Sequence, residues 1–163
     1  MSELQPLLER VRLAIFDFDG VFTDNRVWVN EAGDELLAFS RSDGLGLRRL
    51  DEVGVHYVIV STEPNPIVAA RAVKLNAECV QGVDDKLAVL FERTEQLGVA
   101  LDDTAYVGND VNDAECLRAV GVPVVPADAW PEVMPLARWV LSRPGGAGCV
   151  REFCDGVWEA QRS

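Results

Sequence analysis

Residues 12–24 read RLAIFDFDGVFTD, and the parsing of that stretch decides the fold. Residues 12–18 form a short apolar run that ends in acid. The run is continuous rather than alternating, as expected of a strand buried on both faces of a parallel sheet. Three more runs of the same kind follow: VHYVIV at 55–60, TAYV at 104–107 and VPVV at 122–125. Helical patterns separate them at 44–53, 64–75, 85–97 and 112–120. Pro64 and Pro66 stand where a first helical turn tolerates them, and Gly54, Gly98 and Gly121 follow helix ends. Strands alternating with helices of this length predict a doubly wound α/β parallel sheet.

One segment departs from that rhythm. Residues 25–40, NRVWVNEAGDELLAFS, read as two strands around the turn NEAGDE, a β-hairpin inserted directly after the first strand. With no internal repeat and no linker, residues 1–163 read as a single domain, ending in an arm and helix over 142–163.

Composition narrows the function. The 163 residues are 48% hydrophobic and 26% charged, which suits a globular protein. A net charge of −12 argues against nucleic acid as a partner, and means that any phosphate site needs local cations. No run approaches the roughly 18 apolar residues of a membrane span. The start, MSELQPLLERV, lacks the pattern of a signal peptide. Cys79, Cys116, Cys149 and Cys154 form no CxxC pair and read as reduced thiols of a cytoplasmic protein.

Ligands of open parallel sheets bind at the carboxyl ends of the strands. Those ends read Asp17-Phe18-Asp19-Gly20, Ser61-Thr62-Glu63 and Gly108-Asn109-Asp110 with Asp113 nearby, while Lys86 opens the helix between the second and third. Any one of these residues is ordinary as a helix cap. Together they put acids, an amide, a hydroxyl and a lysine on one edge.

In extended backbone Asp17 and Asp19 project to one face, with Phe18 on the other, and Gly20 permits a sharp turn. Two such close carboxylates repel, so a cation is expected between them and the acids of the third loop; hard oxygen ligands suit Mg²⁺. Asp17 then attacks phosphorus in line to give an aspartyl phosphate that water hydrolyses. Asp19 acts as acid and then as base, Ser61 hydrogen-bonds the phosphoryl group, and Lys86 neutralises its charge.

DFDGVFTD, the strand-end Ser61, Lys86 in DDK and the GNDVND segment resemble the four motifs of haloacid dehalogenase phosphatases over nearly the whole chain. The resemblance implies their Rossmann-like fold. GVFTD followed by a hairpin, with no cap domain, and the C-terminal GGAGCVREFCD are similar to the capless group around 3-deoxy-D-manno-octulosonate (KDO) 8-phosphate phosphatase. STEPNP and AARAVKL resemble a neighbouring branch more closely. That branch holds phosphatases of nine-carbon keto-acid sugars and the C-terminal domain of N-acylneuraminate cytidylyltransferases.

The resemblance implies a phosphatase of a sugar phosphate, with Asp17 as nucleophile, Asp19 as acid/base, and Asp17 and the Asp19 carbonyl as metal ligands. Where the family usually reads GDD this chain reads Gly108-Asn109-Asp110, leaving Asn109 and Asp110 as alternative further ligands. Glu63 and Lys74 match substrate contacts of the keto-acid branch, with Arg71 and Arg41 as weaker candidates and Arg143 on a flexible, glycine-rich arm. His56 lies in a strand away from the cluster and reads as structural.

Two other readings exist. A non-catalytic oligomerisation module has no need of Asp19, and a receiver domain places its acidic pair and phosphoacceptor on different strands. Capless relatives imply a homotetramer in which hairpins meet centrally and cover neighbouring sites. Val27, Val29, Leu36, Leu37 and Phe39 give this hairpin more apolar surface than an isolated ribbon shields.

Overall fold

A computed structural model describes residues 3–163. The chain runs through α1 (Gln5–Arg10), β1 (Leu13–Phe16), β2 (Trp28–Val29), β3 (Glu35–Leu36), α2 (Ser42–Glu52), β4 (His56–Val60), α3 (Ile67–Leu75) and β5 (Glu78–Val80). It continues through α4 (Lys86–Leu97), β6 (Thr104–Val107), α5 (Ala114–Ala119), β7 (Val122–Val125), β8 (Trp139–Val140) and α6 (Cys149–Arg162).

Six strands form one parallel sheet in the order β5-β4-β1-β6-β7-β8. Successive residues of the inner strands point to opposite faces, and both faces are dry. Ala14 and Phe16 join Ala105, Val107, Val122 and Val124 in the core under α1, α2, α3 and α6. Leu13, Ile15, Val58, Val60 and Tyr106 join the core under α4 and α5. This two-sided burial produced the unbroken apolar runs. Two edge strands, β5 and β8, fell outside those runs because they are only three and two residues long.

The strand order turns at β1: β4 pairs on one side of it and β6 on the other. Loops after adjacent strands therefore diverge above β1 and leave a crevice at its carboxyl end. Asp17 stands at that point. His56 sits at the opposite, amino end of β4, paired with Leu13 and away from the crevice.

The inserted hairpin is real but barely paired, with two residues in each strand and its own two-stranded sheet. Trp28 is 73% exposed and Leu36 68% exposed, whereas Leu37 and Phe39 turn back against the main core. Among the described residues no helix is long and apolar enough to cross a membrane.

The expected flexible arm at 142–148 is not what forms. Gly145 N–H donates to Asp128 Oδ1 at 2.8 Å and Gly146 N–H to Val21 O at 3.0 Å. A Cβ on Gly145 would lie 2.1 Å from Gly20 O, and one on Gly146 2.5 Å from Asp24 N. These glycines serve close backbone approach, which binds the segment to the loop after β1 instead of freeing it.

Asp43, in the first turn of α2, is buried with Oδ2 lacking a partner. Burial pushes its carboxyl up to about 7, against the pull of Arg71. A raised folded-state pKa means that the folded chain holds a proton which the unfolded chain has already released. Stability is therefore lost as pH rises from the ordinary carboxyl range through about 7. Asp43→Asn should remove that loss: its stability gains on the wild type by about 1–3 kcal/mol as pH rises from 5 to 8, and its melting temperature rises relative to wild type accordingly. Thermal melts at the two pH values read this directly, and a pH-independent difference would refute it.

Candidate active site

Asp17 follows β1, and its amide N–H donates to Val107 O of β6 at 2.9 Å, so backbone pairing carries past the strand end and fixes it. Its side chain is buried and splits between two neighbours. Oδ1 meets Lys86 Nζ at 2.6 Å, while Oδ2 faces one atom of the Asn109 carboxamide at 3.1 Å. Lys86 is the first residue of α4, where the N-cap Asp85 accepts from Ala88 N–H at 3.0 Å and holds the helix start. The lysine is 4% exposed, and its Nζ also meets Asp113 Oδ1 at 2.8 Å.

Asp113 is fully buried and saturated. Tyr106 O–H donates to Oδ1 at 2.7 Å, and the Asn109 and Asp110 N–H groups donate to Oδ2 at 2.9 and 3.3 Å. This aspartate ties the β6 loop, the core tyrosine and Lys86 into one unit. The GNDVND stretch did contain its signal, an acid three residues beyond Asp110, but such an acid also reads as an ordinary helix cap.

Charges follow from this packing. Burial and the Asp113 carboxylate push Asp17 up to about 7, opposed by Lys86. Its two carboxylate neighbours raise Lys86 above the usual lysine value despite burial, which keeps it cationic. Burial raises Asp19 as well, Glu63 adds to the rise, and a Thr23 hydrogen bond opposes it.

The same Asn109 carboxamide atom lies 2.8 Å from the backbone oxygen of Asp19. With nitrogen on that side, the amide donates to both oxygens. With oxygen on that side, three oxygens converge with no proton between them, which a cation stabilises. Their 2.8 and 3.1 Å separations match the roughly 2.9 Å edge of an octahedron built on Mg–O bonds of about 2.0–2.1 Å. Among the described residues no three His, Cys, Asp or Glu side chains form a metal cluster, so an amide and a main-chain carbonyl must complete any such site. Gly20 makes room for it: with φ +82°, it would carry a Cβ 2.0 Å from Asn109 Nδ2.

Asp17, Asp19, Ser61, Asn109 and Asp110 line one cavity of about 80 Å³, a little under three waters' worth of space. Ser61 is buried there and its Oγ accepts from Glu63 N–H at 3.1 Å. Asp110 is on the rim. Its Oδ1 accepts from Val111 N–H at 2.6 Å in a reciprocal cap with Asp113, so Asn109, not Asp110, is the residue turned toward Asp17 and Asp19.

The substrate candidates divide. Glu63 adjoins Asp19 in a cleft of about 200 Å³ at the hairpin root, with Glu35, Arg26 and Asn25. Lys74 and Arg71 lie elsewhere, in a cleft of about 380 Å³ with Arg41, Arg48 and Phe39. Arg71 donates to Ser40 O at 2.8 Å and stacks over Phe39 at 4.9 Å. Arg143 lines a third cleft of about 470 Å³ beside Trp139 and Arg151. Within one chain the fold therefore does not bring Lys74, Arg71 or Arg143 to the Asp17 cavity, because α3 and the pinned 142–148 segment face other surfaces.

Comparison with known proteins places this architecture. No family model matches the sequence. The chain is 36% identical over 161 residues to the 3-deoxy-D-manno-octulosonate 8-phosphate phosphatase KdsC of Escherichia coli, covering 98% of this chain and 86% of that one. A haloacid dehalogenase family hydrolase from Streptomyces avermitilis superposes with a TM-score of 0.89 at 42% identity, over 91% of this chain and 86% of the other. The KDO 8-phosphate phosphatase of Moraxella catarrhalis, solved with magnesium, phosphate and KDO, superposes with a TM-score of 0.94 at 31% identity, over 99% and 94% of the two chains. A parallel sheet with an acid pair at the end of its central strand is thus, in this molecule, the fold of a haloacid dehalogenase hydrolase. Within that superfamily the chain belongs to the KDO 8-phosphate phosphatase family and is a phosphatase, which sets aside the non-catalytic module and the receiver domain.

Proposed function

We propose that this phosphatase uses Mg²⁺ to hydrolyse the phosphate ester of a keto-acid sugar, KDO 8-phosphate or a nine-carbon 9-phosphate, through an aspartyl phosphate on Asp17. One observation carries the reading: Asp17, paired through Oδ1 with the buried Lys86, joins Asp19, Ser61 and Asn109 in lining a small cavity at the end of the central strand. The names of the relatives point to the same substrate class.

Asp17 Oδ2, the Asp19 carbonyl and Asn109 Oδ1 would hold the metal, and when bound Mg²⁺ draws Asp17 back to its anion and offsets phosphate charge. Asp17 Oδ1, on the Lys86 side, attacks phosphorus as the ester P–O bond breaks. Lys86 and Ser61 take up charge on the transferring group, and Asp19 gives its proton to the departing alkoxide. Asp19 then takes a proton from the water that attacks phosphorus, which frees phosphate and restores the Asp17 carboxylate.

Oligomerisation belongs to this proposal. The exposed Val27, Trp28, Val29 and Leu36 give the hairpin an apolar surface suited to meeting copies of itself, and a homotetramer buries it. Glu63 contacts substrate in its own chain. Lys74 and Arg71, in a basic cleft separate from their own cavity, and Arg143 suit a sugar carboxylate presented by a neighbouring subunit. The four free thiols fit a reducing cytoplasm.

The test is a phosphate-release screen over both sugar phosphates, with EDTA and with restored Mg²⁺. Hydrolysis of at least one, lost in EDTA and recovered on adding metal, is expected; turnover of neither, or full activity in EDTA, defeats the reading. Mixing inactive Asp17→Asn chains with Lys74→Ala chains should recover activity through hybrid oligomers. A fully active monomer in sedimentation equilibrium would contradict the shared site.

A further inference from the structure

Thr23 has no part in the chemistry above, yet it is completely buried beside it. Its Oγ1 is surrounded by three partners. Gly20 N–H and Asn25 N–H each donate to it at 3.1 Å, and it reaches Asp19 Oδ1 at 3.3 Å. A hydroxyl has two acceptor positions and one proton. The two amides fill both acceptor positions, so the single proton has one destination, Asp19 Oδ1. A proton on Oδ1 would leave that oxygen a poorer acceptor for the threonine proton, whereas a proton on Oδ2 leaves Oδ1 the better one.

We propose that Thr23 is a positioning residue that orients the Asp19 carboxyl by donating to Oδ1, which favours the transferable proton on Oδ2. The inference rests on the reading of Asp19 as acid/base. Asp19 borders the cavity that receives the phosphoryl group, and the threonine hydrogen bond holds its carboxyl in one orientation there. The lock is itself held in place. Asn25, in the left-handed region at φ 63°, aims its N–H back at the hydroxyl, and Gly146 packs within van der Waals distance of the Thr23 main chain.

The experiment compares kcat/KM of the Mg²⁺-loaded enzyme for a primary sugar phosphate and for p-nitrophenyl phosphate. That parameter ends with departure of the leaving group and leaves out hydrolysis of the phosphoenzyme. An alkoxide needs the Asp19 proton; a nitrophenolate leaves without it. Thr23→Val should lower the value for the sugar phosphate about 30-fold more than for the aryl ester, a part of the 10²–10⁴-fold that general acids contribute. Thr23→Ser, which keeps the donor, should return the ratio to within about threefold of wild type. Equal losses on both substrates, no selective loss, or a serine variant as selective as valine would each overturn the proposal. Should Thr23→Val not fold, Thr23→Cys, with a weak donor, is read in the same way. Asp19→Asn is run alongside: if it lacks leaving-group selectivity, the acid/base reading itself falls, whatever Thr23 does.

Discussion

Replacing Asp17 by Asn should cut turnover on the order of 10⁴-fold or more, the scale seen when a single nucleophile is removed from a catalytic group acting as a unit. The amide is nearly isosteric but has no anionic oxygen to form the phosphoryl bond. Lys86 keeps Asp113 at 2.8 Å, so the buried cation is not orphaned and the fold should persist. Circular dichroism and a melting temperature within a few degrees of wild type would establish that. Acid-quenched wild-type enzyme should carry a phosphoryl group detectable by mass, and the variant should carry none. Retention of more than about one per cent of kcat by the variant would remove Asp17 as the attacking group.

Lys86→Met should damage both activity and fold, and separates their causes. Removing the ammonium leaves Asp17 and Asp113, which both meet Nζ in the native chain, buried and without a counter-charge. Breaking a buried pair by deleting one partner costs about 3–5 kcal/mol. In a chain of this size that lowers the melting temperature by roughly 10 °C. Losing one preorganised charge at the phosphoryl group costs a further 10²–10³-fold in kcat, approximately. Since Mg²⁺ replaces part of the missing positive charge, the thermal deficit should shrink when the metal is added. A variant that melts with the wild type in metal-free buffer would show that Lys86 is not the counter-ion of these acids.

How much could be read beforehand followed from how local each signal is. The four inner strands announced themselves because burial on both faces leaves them almost continuously apolar. The edge strands β5 and β8 carry too few residues to form a pattern. Asp17, Asp19, Ser61, Lys86 and Asn109 could be picked out because strand ends share one edge of a parallel sheet. Asp113 could not be separated from a helix cap, since its importance depends on Tyr106 and Lys86, seven and twenty-seven residues away. Lys74 and Arg71 are suggested by likeness to relatives and Arg143 by its glycine-rich arm, but the direction each faces depends on how α3 and the last loop settle on the sheet. The glycine run near the end suggested freedom because composition does not distinguish a flexible glycine from a close-packed one.

That close-packed segment also sets an order of assembly. Cys149 Sγ–H reaches Val21 O across 128 residues of sequence, and Gly146 N–H donates to the same carbonyl. During translation the nucleophile leaves the ribosome early, but the loop beside it gains this support only after the last helix has begun to emerge. At about 5–20 residues per second the delay is on the order of ten seconds. A nascent chain halted before Pro144 should leave its acid pair on an unsupported loop and hydrolyse little, so activity waits on a contact made 128 residues downstream of Val21.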